Sequence, residues 1–256
     1  MATTAPRTAP VEGTGFFTIM AFVMSAVIIA GFTIQLAMGR SSFSAPLAYH
    51  VHGMIFMGWI ALYLLQHVTI ATGNRALHAS VGRLAYIWIP AMIVAGGIII
   101  LTSARTSGGP FFFGKSEFLI SNSMGLLTFG GLALWALRQR RYTGWHRRLM
   151  LVAMSVLTGP GLGRLLPMPL LIPYSWVTVF AFSLTFPIIG MLVDWRRSGR
   201  VHPAYVYGVG INVGVFALSL LIAYSPIGYA ITEWVVAGTP GAARPMDAYM
   251  PPGFSM

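Results

Sequence analysis

HVHGMIFMGWIALYLLQHVTIATGNRALHASVGRLAY, residues 50–86, decides the fold. Its first part, up to Ala71, holds no Asp, Glu, Lys or Arg. A run of that length covers about 30 Å as a helix, the thickness of a bilayer's hydrocarbon core. Thr72-Gly73 then supplies a helix stop, Arg75 and Arg83 bracket a short polar connection, and a second apolar run begins. The stretch therefore reads as a membrane helix, a tight basic turn and the start of the next membrane helix. Four of the six histidines lie in it: His50 and His52 open the first helix, His67 sits near its far end, and His78 follows the turn.

The rest of the 256-residue chain repeats this texture, with 56% hydrophobic and only 8% charged residues. A soluble domain carries about a quarter charged residues, so the fold class is all-α, a polytopic membrane bundle. Apolar runs fall near 16–38, 50–71, 80–103, 118–138, 148–166, 172–194 and 204–225, giving about seven spans. Residues 1–14 read as a disordered tail, 15–225 as the membrane domain and 226–256 as a second tail. The sequence Gly159-Pro160-Gly161 predicts a kink or break in the fifth span.

The net charge of +11 is not a nucleic-acid patch, because the arginines fall in short clusters between the apolar runs. Arg75 and Arg83, then Arg138, Arg140, Arg141, Arg147 and Arg148, then Arg196, Arg197 and Arg200 all occupy connections on one side. The positive-inside rule makes that side the cytoplasm of a bacterial inner membrane, with the N-terminus inside and the C-terminal tail outside. The lipid bilayer is the one partner this implies; a redox or membrane-protein partner and the oligomeric state stay open. The three basic turns also share a glycine followed by a histidine, at Gly73 and His78, Gly144 and His146, and Gly199 and His202.

With no cysteine in the chain, thiolate zinc, iron–sulfur clusters and covalent haem attachment are excluded, and histidine is the remaining strong ligand for transition metals. His67, His78, His146 and His202 share the basic side, so four imidazoles stand ready to hold a metal ion, or two of them to clamp a haem iron. If the hairpins pack as neighbours, His78 and His146 come within about 10–15 Å between Cα atoms. Gly82, one turn after His78, leaves room for a flat macrocycle, and Arg83, Arg147 and Arg148 can neutralise its propionates. These histidines also read as interfacial anchors beside Trp145 and the arginines. On the other side, His50, His52 and Arg164 form a candidate anion or ligand site, with snorkelling to the headgroups as the other reading of Arg164.

Other chemistries find no support. Lys115 is the only lysine and reads as a loop residue, which removes a retinal Schiff base. Asp194 reads as the end of the sixth span beside Arg196 and Arg197, so no carboxylate relay crosses the membrane.

From His52-Gly53 and Gln66, through His78-Ala79-Ser80-Val81-Gly82-Arg83 and Tyr86, to His146-Arg147-Arg148-Leu149-Met150 and Arg164, the chain resembles an uncharacterised bacterial family of multi-spanning membrane proteins. The family's pattern has arginine after the first turn's histidine, where this chain has Ala79. The resemblance implies an architecture and a set of positions, not a reaction. The expectation that follows from the residues themselves is a membrane redox protein binding haem b or a metal through its cytoplasmic-side histidines. A permease or lipid-binding protein, or a membrane assembly scaffold, are the alternatives.

Overall fold

A computed structural model describes residues 14–41 and 43–254. The expected tail at 1–14 falls almost wholly outside them. Among the described residues there is no strand. Helices α1 (Thr14–Ala37), α2 (Leu47–Ala71), α4 (Ala85–Ser107), α5 (Lys115–Arg138), α8 (Ser175–Ser198) and α9 (Pro203–Ala223) are each long and apolar enough to cross a membrane. The chain is a multi-pass membrane protein. Its exterior agrees, since Ile87 and Leu221 are each more than 70% exposed, which water would penalise and lipid does not.

The fifth expected span is split into two helices. It forms α6 (Thr143–Leu157) and α7 (Gly159–Leu165), interrupted at Thr158 ahead of Pro160, which has no N–H to continue the helical ladder. Helix α1 acts as a ruler alongside the pair. Arg147 of α6 lies over Phe17, and Arg164 of α7 lies over Phe32. The fifteen residues from Phe17 to Phe32 are roughly 22 Å of helix, so α6 and α7 together run about that length beside α1.

Helix α5 is the central post, packed against α4, α6 and α9, while α1 and α2 close one flank and α8 the other. The core between them is built from Met24, Trp59, Ile89, Phe129, Leu149 and Tyr205, among others. Two glycines bring α1 and α7 into backbone contact. A Cβ on Gly31 would stand 2.4 Å from the Gly161 carbonyl oxygen, and one on Gly161 would stand 2.7 Å from Ile28 Cα. Small residues at a crossing are how membrane helices gain dispersion contact without a hydrophobic driving force.

The connections obey local chemistry. Gly73 ends α2 with positive φ, and the Asn74 side chain then caps the short α3 (Arg75–Gly82) by accepting from Leu77 N–H at 3.0 Å. Gly108 and Gly199 end α4 and α8 in the same left-handed way.

The segment read as a second tail is folded. It forms α10 (Pro226–Val236) and a 3-10 turn (Pro240–Ala243), then runs across the ends of α4 and α5. Arg244 donates to the carbonyls of Gly108, Phe111 and Phe113. Lys115 is the first residue of α5 rather than a loop residue, and its Nζ donates to the Arg244 carbonyl at 2.7 Å and the Ala242 carbonyl at 3.3 Å. Glu117 accepts from Gly114 N–H and from the Tyr224 hydroxyl. The physical reason is that backbone carbonyls in these turns need donors and buried charges supply them, the Phe111 carbonyl also accepting from Tyr249 N–H at 3.1 Å.

Candidate functional site

The glycine stop at Gly73 and the Asn74 cap fold α3 back toward the end of α2, which places His78 against that helix and against α6. The rings of His78 and His146 lie 6.3 Å apart between centroids and are nearly perpendicular, at 85°. His67 is within electrostatic range of both, and its ring packs edge-on against Tyr63 at 4.7 Å.

Each ring is held through Nδ1. His146 Nδ1 donates to the Ala136 carbonyl of α5 at 2.8 Å, leaving the Nε2 lone pair free. His78 Nδ1 has two neighbours from one residue. It faces the Gln66 carbonyl at 3.3 Å, and with the Gln66 side-chain amide turned nitrogen-inward it accepts from that amide at 2.8 Å. The same amide then donates to the His78 carbonyl at 2.9 Å and accepts from Gly82 N–H at 3.3 Å. In that arrangement the His78 proton sits on Nε2; donation to the Gln66 carbonyl puts it on Nδ1 and frees Nε2. Burial pushes the His78 ring below its ordinary pKa, with the Gln66 carbonyl opposing, so the ring is neutral near pH 7.

Gly82 does not leave room for a macrocycle. The space beside it is filled by the Gln66 amide, whose oxygen would meet an added Cβ at 3.1 Å. The expected four-imidazole metal set is not formed either. His202 is the N-cap of α9: its Nδ1 accepts from Ala204 N–H at 3.1 Å, so the neutral ring carries its proton on Nε2 and has no lone pair to give. Burial and the nearby Arg148 push its pKa down, with Asp194 opposing. Among the described residues no group of three or more His, Asp or Glu stands close enough to hold a metal ion.

The arginines also part from the histidine pair, for a geometric reason. Successive helical residues turn by about 100°, so His146 and Arg148 point to nearly opposite sides of α6. His146 faces α3 and α5, whereas Arg148 makes a buried bidentate pair with Asp194 of α8. Its Nε and Nη2 reach Asp194 Oδ2 and Oδ1 at 2.7 and 2.6 Å, and Nη1 donates to the Gly144 carbonyl at 3.0 Å. Neither Arg148 nor Arg147, which lies over Phe17 of α1, turns toward His78, and Arg83 is exposed at the end of α3. Arg147 and Arg148 are thus engaged away from the two imidazoles.

No family model, curated protein or solved structure matches the chain.

At the opposite end the expected trio is also divided. His50, in the first turn of α2, contacts the carbonyl of Phe43 in the preceding loop through Nε2 at 3.2 Å. His52 stacks on Phe56 with its Nδ1 buried and without a partner, and lies within electrostatic range of Arg164. Arg164 is tied to the α1–α7 junction, over Phe32 at 4.1 Å and donating to the Pro160 carbonyl at 2.8 Å. Asp194 is the residue the sequence reading most undervalued. One of only five acidic residues, it stands at the end carrying most of the arginines, and that imbalance was the available signal.

Proposed function

We propose that the protein is a membrane redox protein whose centre is the perpendicular imidazole pair of His78 and His146, which takes one metal-centred group, with haem b as the first form to test. The observation that carries this reading is the spacing. A metal–nitrogen bond of about 2 Å on each side, plus about 1 Å from nitrogen to ring centre, makes roughly 6 Å between centroids, against 6.3 Å here. His146 already has the tautomer a metal requires, with its carbonyl partner fixing the ring. Seating a porphyrin also needs the Gln66 amide to swing away from Gly82, whereas a bare two-coordinate copper ion does not. Bound haem would contribute one-electron transfer at this end of the bundle.

Protein purified from haem-replete cells is expected to show a sharp reduced-minus-oxidised visible band, lost in His78→Ala and in His146→Ala and kept in His50→Ala. Stoichiometric copper without a band supports the bare-ion form. Neither band nor metal overturns the redox reading. A second reading then rests on the Gln66 amide facing His78: the two rings carry complementary tautomers and share a proton without any metal. Ring nitrogen chemical shifts in metal-free protein would show one Nε2–H and one Nδ1–H ring for that reading, and two Nδ1–H rings against it.

The orientation proposed for the bilayer is basic end inward. A reporter active only outside the cytoplasm is expected to work when fused after Tyr224, between α9 and α10, and to be silent when inserted at Tyr142. Reversed signals would move the imidazole pair to the outer face.

A further inference from the structure

At the basic end, between the starts of α1 and α6 and the end of α8, lies a cleft of about 310 Å³. Its wall includes Phe17, Arg147, Arg148, Asp194, Arg197 and Ser198. We infer that this cleft is a binding site for a phosphate group, independent of the imidazole pair.

The charge arrangement carries the inference. Arg148 and Asp194 neutralise each other, and the carboxylate's two oxygens are taken by Arg148, with Oδ2 also accepting from His202 N–H at 3.3 Å. Two positive groups are left over. Arg147 holds its guanidinium 4.8 Å from the Phe17 ring centre, and its Nε is buried with no hydrogen-bond partner. Arg197, exposed at the end of α8, is within electrostatic range of Arg147. The other elements around them bring no compensating carboxylate: α1 contains no charged residue, α6 contributes only arginines, and the start of α9 contributes His202 and Tyr205. Arg148–Asp194 is the one salt bridge among the described residues.

A buried guanidinium nitrogen without an acceptor is costly, and a planar fork with an unpaired face suits a tetrahedral oxyanion. Phe17 covers one face of the guanidinium, which lowers the local dielectric and strengthens a charge-assisted hydrogen bond to the incoming oxygen. The cleft opens where the spans end, at the depth of lipid phosphates, although a soluble phosphate reaches the same nitrogens.

The test uses the full-length protein in nanodiscs. One arm compares phosphatidylcholine discs with discs containing phosphatidic acid and reads lipid retained by native mass spectrometry; the other titrates inorganic phosphate into phosphatidylcholine discs. Selective retention of phosphatidic acid, lowered about tenfold by Arg147→Gln and by Arg197→Gln but not by Arg138→Gln, assigns the site to a lipid headgroup. Saturable phosphate binding with the same pattern of variants assigns it to a soluble anion. Arg197 is exposed, so its variant folds even if loss of Arg147 disturbs packing. Binding of neither probe, or equal binding by wild type and Arg197→Gln together with Arg147→Gln, overturns the inference. The imidazole pair's band or metal content is read on the same samples, and its presence or absence bears on neither result.

Discussion

Asp194→Ala is expected to lose about 3–5 kcal/mol of stability, the usual cost of leaving one member of a buried ion pair behind. Arg148 would keep its Gly144 contact but lose both carboxylate bonds, and its largely buried guanidinium is held between α6, α8 and the rings of Phe17 and Tyr205. His202 N–H would lose its acceptor as well, loosening the start of α9. The double variant Arg148→Met with Asp194→Leu should recover most of the loss, because two apolar groups of similar volume leave no uncompensated charge. Denaturant titration in detergent micelles reads both numbers. A single variant within about 1 kcal/mol of wild type would show that the pair is solvated and contributes as a surface pair does.

Gly161→Val is expected to cost about 3 kcal/mol or more, while Gly159→Ala, two residues away, stays near wild type. The contrast follows from what each new Cβ meets. At Gly161 it strikes the α1 backbone, with Ile28 Cα at 2.7 Å and the Val27 carbonyl oxygen at 2.9 Å, and a backbone cannot rotate aside. At Gly159 it meets only Val179 Cγ1 at 3.6 Å, an ordinary contact. The same unfolding measurement separates the two. Equal tolerance at both positions would mean that α1 and α7 are not in backbone contact.

The architecture was legible because apolar runs, glycine stops and the break at Gly159-Pro160-Gly161 are written locally. Hydrogen-bond satisfaction in lipid leaves helices as the only reading of such runs in an all-α bundle. The approach of His78 to His146 was legible too, since short turns make the hairpins neighbours. The rest depended on rotation about helix axes and on distant pairing. Helical spacing alone sets Arg148 on the far side of α6 from His146, but nothing local names its partner there, and Arg148 finds Asp194 across forty-six positions. His202 follows a glycine as the histidines of the other turns do, yet Pro203 right after it makes its ring a helix cap instead of a ligand. The cap from α10 to Tyr249 was opaque for the opposite reason: its Pro, Gly and aromatic composition carries no span signal, and its anchoring depends on distant carbonyls, those of Gly108, Phe111 and Phe113, that accept from Arg244.

The crossing of α1 with α7 also sets an order on biosynthesis. Gly31 and Gly161 are 130 positions apart, so α1 enters the bilayer long before its backbone partner exists. At synthesis rates of about 5–20 residues per second, the glycine face of the first helix waits roughly 7–26 s for α7 to emerge. Through most of that interval α2 is the helix packed against it, until α6 and then α7 emerge and fix its other face.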